Sequence, residues 1–384
     1  MKSVLISGAS IAGPALAFWL RRHGAAVTVV EKSHTLRGGG YPIDIRGTAL
    51  GVVDRMGLLP RLREAHVDTR RITFLNADGS QAASIRAESL TRSDDRDLEV
   101  RRGDLAEILY DTVRDDVEFL FDNSIVALDQ QPHGVDVTFR SGLQRTYDHV
   151  IGADGLHSAV RALTFGPEEQ FHHYLGYCFA GFTLPNHLGL QHEALMWNEP
   201  GRGATLYAVG ESSSVHGFLS FARAEAPFGA FRDPQAQRDL VASVFADDGW
   251  EVPHLVKAMR EADDLFFDTV SQIRMPRWSS GRVALVGDAA YAPSFLTGQG
   301  SSLALVGAYV LAGHLEAGAF DAYERAIRPF VEANQGLVQE GNAELLPGTA
   351  EALAARNAAL RARTTMPAEG GRPEHSAMTL PDFG

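Results

Sequence analysis

The chain is poor in cysteine: Cys178 is the only one in 384 residues. An intramolecular disulfide is therefore excluded, and the composition fits a reducing, cytoplasmic setting. Cys178 sits among Tyr177, Phe179 and Phe182, a setting for a small packed hydrophobe rather than a nucleophile. An excess of positive charge is also missing. Lys and Arg number 35 against 48 Asp and Glu, for a net charge of -13. Nucleic-acid binding rests on basic surfaces, so no nucleic-acid partner is expected. Arg61, Arg63, Arg70 and Arg71 cluster locally and read as an exposed charged face. Metal-ligand spacing is lacking, since His172 and His173 are adjacent rather than i and i+4. There is no G-x-S-x-G elbow and no order of Ser, His and Asp that suggests nucleophilic catalysis. No apolar run is long enough to span a membrane, and no membrane partner is expected. The stretch from Val4 to Leu20 imitates a signal peptide. Gly8, Ser10, Gly13 and Pro14 interrupt it, and Arg21, Arg22 and a second strand-like run ending at Glu31 follow at once. It reads as part of the fold.

What is present is an ordinary soluble composition, 45% hydrophobic and 22% charged, in a chain long enough for two or more domains. KSVLIS at 2–7 reads as a buried strand, 13–23 as a helix and AVTVV at 26–30 as a second buried strand. Strand, Gly-rich turn, helix and strand make a βαβ unit with parallel strands. Residues 48–58 look helical, with Pro60 as an interruption. Residues 70–77 and 81–86 read as a hairpin around Asp78-Gly79. Residues 102–113 show helical spacing. VEFLFD, IVALDQ and VDVTFR alternate as strands, and DHVIGA at 148–153 is another buried strand. From about 170 to 270 the runs YCFAGFTL, ATLYAVG and VHGFLSFAR are aromatic and alternating, the pattern of an antiparallel sheet with one covered face. Helical spacing marks 234–246, 253–262, 319–343 and 349–363. The segment from about 366 has Pro and Gly without period and is expected to be mobile.

Three motifs carry the chemistry. In Gly8-Ala9-Ser10-Ile11-Ala12-Gly13, Gly8 permits a tight strand-to-helix turn and Gly13 permits close helix–strand packing. The helix N-terminus then offers N–H groups and partial positive charge to a pyrophosphate. Glu31, followed by Lys32, ends the second strand and suits the two ribose hydroxyls of an adenosine. A free carboxylate there repels a 2′-phosphate, which favours FAD or NAD over NADP at this site. The middle position of the fingerprint is Ser10, the smallest polar substitute for Gly. The second motif is Asp154-Gly155 after DHVIGA. The third is Gly287-Asp288 after GRVALV, followed by Gly298-Gln299-Gly300 and another apolar run. Each alone reads as a strand-to-loop turn; together they mark one ligand site.

The order GxSxxG, "GADGLHSAVR" and "GRVALVGDAA…GQG" resembles the single-component, FAD-dependent aromatic hydroxylases, a family that includes the tetracycline-inactivating monooxygenases. The resemblance covers residues 1 to about 315. It implies an α/β fold: a Rossmann-like FAD-binding domain (1–72, 98–168, 272–318) with an inserted antiparallel-sheet substrate domain (73–97, 169–271), C-terminal helices (319–365) and a tail (366–384). It further implies that Gly8, Ser10, Ile11, Ala12 and Gly13 line the FAD pyrophosphate and that Glu31 and Lys32 lie at the adenosine. Arg102, in "RRGDL", would reach FAD from the next helix. Asp154 would help hold the dinucleotide and serve NAD(P)H. Gly287 and Asp288 would bind the ribityl chain. Gly298, Gln299 and Gly300 would face the pyrimidine end of the isoalloxazine. Asp44 and Arg46, in "GYPIDIRG", match the segment beside the flavin. The chain departs from the family's usual residues at Tyr291, at the displaced Pro293 and at Ser302, all expected near the flavin ring.

The implied activity is an FAD-dependent monooxygenase consuming NADPH or NADH and O2. A flavin C4a-hydroperoxide would hydroxylate an aromatic or polycyclic enolic small molecule, in natural-product tailoring or antibiotic modification. The oligomer expected is a monomer or homodimer. No side chain is required as nucleophile, and no metal. Phe182, His216, Phe218, Phe221 and Phe295 are the candidates to face substrate, each set against plain sheet packing; His216 resembles a substrate-contacting histidine of the tetracycline monooxygenases. A nicotinamide-only dehydrogenase leaves the two later Asp motifs unexplained. A flavin halogenase requires a Trp-x-Trp-x-Ile-Pro signature, whereas Trp19, Trp197, Trp250 and Trp278 are dispersed. A non-catalytic flavin-binding sensor, or another flavin oxidoreductase, is the alternative.

Overall fold

The computed structural model describes residues 2–36, 40–86, 97–227, 233–315, 319–338, 345–362 and 372–383. The first part of the chain runs β1 (Ser3–Ser7), α1 (Ala12–Arg22), β2 (Ala26–Val30), β3 (Pro42–Ile45), α2 (Thr48–Arg55), α3 (Leu59–Glu64), β4 (Arg71–Leu75), β5 (Gln81–Arg86) and β6 (Leu98–Arg101). Then come α4 (Arg102–Asp111), β7 (Glu118–Leu120), β8 (Ile125–Gln131), β9 (Gly134–Phe139), β10 (Gln144–Tyr147), β11 (His149–Gly152) and α5 (Ala159–Phe165). Next are β12 (His172–Pro185), β13 (Glu193–Glu199), β14 (Arg202–Tyr207), β15 (Ser214–Ala222), α6 (Pro234–Val244), α7 (Val252–Glu261) and β16 (Phe266–Ile273). Last come β17 (Ser279–Ser280), β18 (Val283–Leu285), α8 (Asp288–Tyr291), α9 (Gly300–Leu315), α10 (Phe320–Gly336) and α11 (Ala350–Ala362).

β1 and β2 pair in parallel from Ser3↔Ala26 to Ser7↔Val30, joined by α1. The helix forms because Pro14 lies in its first turn, where a missing N–H costs no intrahelical bond. It ends where Gly24 takes φ +77°, with Arg21 and Arg22 complementing the negative end of its dipole. The strand order of this sheet is β17-β18-β11-β1-β2-β7. Its inner strands are buried on both faces, which explains their unbroken apolar runs. α9 is buried nearly all round and crosses the sheet beside α1. β3 and β6 form a separate antiparallel ribbon, and β8, β9 and β10 a small three-stranded sheet.

The second large sheet has seven strands in the order β16-β12-β15-β14-β13-β4-β5. Strand alternation gives it two unlike faces. On one, Cys178, Ala180, Phe182, Leu184, Leu219 and Phe221 pack with Val241, Phe245, Leu255 and Met259 of the α6–α7 region. The other turns toward the parallel-sheet unit. Over its far end lies α11, whose Leu360 packs with Phe74, Ala83 and Ile85. There the Arg356 guanidinium stands 5.1 Å from the Phe74 ring and donates to Asn198 Oδ1 at 2.7 Å.

Two expectations change. Pro60, read as an interruption, lies in the first turn of a second short helix, α3, which Leu59 begins, because proline is accepted in a first turn. The C-terminal segment read as mobile is docked over residues 372–383. Met378, Leu380 and Phe383 pack against the main core. Thr48 Oγ1 donates to the Met378 carbonyl at 2.7 Å, Asn334 Nδ2 to the Glu374 carbonyl at 3.0 Å, and Tyr309 Oη to the Pro381 carbonyl at 2.7 Å. Spaced apolar anchors outweigh the irregular sequence. The tail also backs the Gly47 turn, where a Cβ would lie 2.1 Å from the His375 carbonyl oxygen. Residues 87–96, 339–343, 366–371 and 384, covered by the sequence expectations, lie outside the described residues.

The tail's contribution is measurable. Phe383 rests on the Tyr309 and His314 rings at 5.3 and 5.2 Å. Phe383→Ala is expected to cost about 1–2 kcal/mol in urea unfolding, reflecting a half-buried ring. An unchanged midpoint would show that the tail adds nothing to the fold.

Candidate functional site

The C-terminal ends of β1, β11 and β18 meet at one edge of the parallel sheet, and the first helix starts there. Gly8 has φ +109°, and a Cβ on it would lie 2.4 Å from the Ala153 carbonyl oxygen. A Cβ on Gly13 would lie 1.9 Å from the Gly8 carbonyl oxygen. Only glycine fits at either place, so the turn brings its backbone N–H groups close to any ligand above it. Ile11 and Ala12 are buried beneath. Glu31 lies alongside: its Oε2 accepts from Ala9 N at 2.9 Å and its Oε1 from Ser33 N at 3.0 Å. Lys32 is exposed next to it. Ser10 is more than a small substitute for glycine. Its Oγ accepts from Arg102 Nη2 at 2.8 Å, so the first residue of α4 is tied to the phosphate-type turn.

The third motif forms the opposite wall. Gly287 has φ +64°, and a Cβ there would lie 3.1 Å from Ala12 Cβ, so α8 starts directly against α1. Asp288 follows, exposed to the cleft, and among the described residues its carboxylate has no hydrogen-bond partner. Desolvation by the cleft walls raises its pKa, opposed by the Arg102 charge. Gly298 adopts the left-handed conformation, with its Cβ direction pointing at Asp44 Oδ2 3.0 Å away. Gln299 is fully buried, and both its amide nitrogen and oxygen lack a hydrogen-bond partner. Gly300 then opens α9, whose first-turn N–H groups carry the positive end of a long helix. Beside it Asp44 pairs with Arg46 at 3.0 Å, and Arg46 N donates to Ser302 Oγ at 3.0 Å.

These features fit FAD. A glycine cradle, a ribose-height carboxylate, a free carboxylate midway and a buried amide with no protein partner occur in the order in which a dinucleotide flavin presents its parts. Asp154 is placed differently from its expectation. Its carboxylate accepts from Ser158 Oγ, from Ala159 N at 2.9 Å and from Val160 N at 3.1 Å. It caps α5 and its oxygens turn into their own loop.

The same loop holds the two large sheets together. His157 Nδ1 meets Glu168 at 2.8 Å and Nε2 meets Asp268 of β16 at 3.1 Å. Burial would lower this imidazole's pKa, but the two carboxylates overcome it and hold it at about 9. Arg161, wholly buried, donates to the Ala289 carbonyl at 3.0 Å and to Glu168 at 2.8 Å. That bond fixes the residue next to Asp288.

The substrate candidates separate by strand parity. Phe182 and Phe221 lie on the helix-covered face; Phe221 packs edge-on against Phe245 at 6.1 Å. They are core residues, so of their two readings plain sheet packing holds and their candidacy for substrate contact is corrected. Phe218, His216 and Phe295 lie on the side facing the cleft. Phe218 meets the Tyr41 ring at 5.6 Å, and Phe295 meets Phe179 at 4.8 Å. Gly181 makes room for Phe218, whose ring would stand 3.3 Å from a Cβ there. His216 Nδ1 pairs with Thr183 Oγ1 at 3.4 Å, and burial lowers its pKa. Tyr41 and Phe179 had no sequence signal beyond being aromatic. Glu99 was also missed: it accepts from Tyr207 and Thr69 and sits opposite Asp44 across the β3–β6 ribbon.

Two departures from the family pattern do not reach the cleft. Tyr291 is buried behind it, 4.6 Å from the Trp278 ring and bonded to Tyr323 Oη at 3.2 Å. Its hydroxyl fills the space left by the missing side chain of Gly307. Pro293 is buried, its carbonyl accepting from Gln272 Nε2 at 2.9 Å. Of the three, Ser302 touches the flavin-side segment, through Arg46 N.

Residues 1–333 match the family described as FAD binding domain. An uncharacterized protein of Mycobacterium tuberculosis (strain H37Rv) is 44% identical over 358 residues, covering 91% of this chain and 95% of that protein. A flavin-dependent monooxygenase of an unknown prokaryotic organism is 38% identical over 339 residues, covering 87% of this chain and 88% of its own length. The crystal structure of the tetracycline destructase Tet(55) superposes with a TM-score of 0.84 at 35% identity, covering 100% of this chain and 99% of that one.

Asp288→Ala is expected to weaken FAD retention about tenfold, the value of one charge-assisted hydrogen bond, while leaving the circular dichroism unchanged. Equal flavin content in the purified variant would refute the contact. The His157 clip predicts a second effect. Its folded pKa lies above the ordinary 6.5, so its stabilisation is complete below that pH and is lost as pH rises through about 9. The melting temperature should therefore fall over that alkaline window, and His157→Asn should flatten the fall; equal slopes for both proteins would contradict it.

Proposed function

Because the chain belongs to the FAD-dependent aromatic hydroxylases and is a flavin-dependent monooxygenase, we propose that it uses NADPH or NADH and O2 to hydroxylate an aromatic or polycyclic enolic small molecule. The observation that carries this reading is the aromatic face of the seven-stranded sheet, set directly across from the flavin-side segment. FAD held in this cleft would supply the redox chemistry, accepting electrons from a nicotinamide reductant and passing them to O2.

The residues of the chain do the rest. The Gly8–Gly13 turn, the α1 N-terminus and Arg102 bind the pyrophosphate. Glu31 would accept from the adenosine ribose, and Asp288 from the ribityl hydroxyls. The N-terminus of α9, at Gly300, offers positive potential that would favour negative charge on a flavin held beside it. Phe179, Phe218 and Phe295 line the substrate side with apolar surface and exclude water. His216, kept neutral by burial, offers a hydrogen bond to a phenolic or enolic hydroxyl. The resemblance to tetracycline destructases makes tetracycline a rational first substrate, with simple phenols as the comparison.

The test is NAD(P)H oxidation by the FAD-loaded protein, with mass spectrometry of each product. Tetracycline or a phenol should accelerate oxidation about tenfold or more, the range expected when substrate gates the flavin cycle, and should gain one oxygen atom. Flavin-loaded protein that no member of the panel stimulates would instead favour a flavin-binding sensor.

A further inference from the structure

Glu99 is used by none of the steps above, yet it touches both halves of the site. β3 and β6 place Asp44 directly opposite Glu99. Tyr207 Oη donates to Glu99 Oε1 at 2.9 Å and Thr69 Oγ1 to Oε2 at 3.1 Å. The two hydroxyl oxygens also lie side by side. Tyr207 stands on β14, level with His216 on β15, so one end of this cluster lies on the cleft-facing side of the substrate sheet. The other end faces the Asp44–Arg46 pair. Around Glu99 are Asp44 and Arg46 from the ribbon, Thr69 and His66 from the connection before β4, and Tyr207 from β14. The His66 ring accepts the Glu99 N–H at 3.2 Å.

We propose that Glu99 is a positioning residue that decides where Arg46 points: as a neutral acid it bridges ribbon and sheet and leaves Arg46 on Asp44, and as a carboxylate it competes with Asp44 for that guanidinium. Two carboxylates at directly opposed strand positions repel unless a cation lies between them. Among the described residues, Arg46 pairs with Asp44 and its charge also acts on Glu99. Burial first, and then the Asp44 charge, push the Glu99 carboxyl up to about 7. Its proton therefore leaves to solvent within the neutral range. The inference rests on the flavin reading, since Arg46 acts through the ring it would flank.

The test is an FAD titration of the full-length protein between about pH 5.5 and 8.5, read by flavin fluorescence and by the visible absorption of the bound flavin. The parent should show a one-proton step near pH 7, with the FAD dissociation constant changing about threefold or more across it, as one nearby charge requires. Glu99→Gln keeps an acceptor for Tyr207 and should lose the step. Tyr207→Phe removes a bond that favours the carboxylate, so it should move the midpoint to higher pH; this variant carries the test if Glu99→Gln does not fold. A step that persists in Glu99→Gln overturns the proposal, as does an unshifted midpoint in Tyr207→Phe. So does a parent that binds FAD without a step. A parent that binds no FAD at any pH overturns the flavin reading, and this proposal falls with it.

Discussion

Everything in the site depends on how closely three strand ends can approach. β1, β11 and β18 deliver their loops to one edge of the parallel sheet, and there is no volume for side chains between them. The Gly8 backbone lies where a Cβ would meet the Ala153 carbonyl, Gly13 where it would meet that of Gly8, and Gly287 where it would crowd Ala12. An alanine at Gly13 would overlap backbone atoms, which have no rotamer to escape into. The cost would fall on the βαβ unit itself. With those three glycines in place, the α1 N-terminus, Asp288 and the Gln299–Gly300 turn face one cleft. Their chemistry follows from backbone proximity rather than from any single side chain.

This explains what the sequence made legible. A requirement for positive φ or for a missing Cβ leaves a glycine at a fixed offset from an apolar strand, and that trace is local. The dinucleotide turn, Glu31, Asp288 and the glycines before α9 were all readable in this way. The substrate face was not. The alternation in YCFAGFTL and VHGFLSF announces two faces but carries no label for which one the helices α6 and α7 cover. Phe182 and Phe221 fell on the covered face, whereas Phe179 and Phe218 fell on the open one. Glu99 was invisible for a related reason: its meaning comes from a ribbon partner 55 positions earlier, Asp44, and from Tyr207 on another sheet. The tail was misread because composition was weighed above its three apolar anchors.

The two sheets are joined by polar groups that are mostly out of solvent. Arg161 is wholly buried, Asp268 is 5% exposed, and His157 spans Glu168 and Asp268. Such groups are costly to desolvate, and they are stable because each finds a partner. They also have directional consequences that apolar packing lacks. Arg161 reaches the Ala289 carbonyl, so the mid-chain turn orients the helix start that carries Asp288. Asp154, spent on capping α5, serves the same end by fixing the loop from which His157 and Arg161 project. The mid-chain motif thus bears on the Asp288 turn through Arg161.

Among the charged groups at the cleft are the carboxylates of Glu31, Asp44 and Asp288 and the cations Arg46 and Arg102. They are not mixed evenly. Arg102 and the α1 N-terminus gather positive potential at the Gly8 turn, where a pyrophosphate would lie, and the Asp288 carboxylate stands where only hydroxyl donors would be met. An FAD pyrophosphate at the Gly8 turn would keep its charge away from Asp288, whereas the reversed pose would set phosphate oxygens against that carboxylate. The flavin end is left to the neutral backbone of Gly298–Gly300 and to the Asp44–Arg46 pair, whose net charge is close to zero. Ionisation of Glu99, opposite Asp44, would add one negative charge beside that pair.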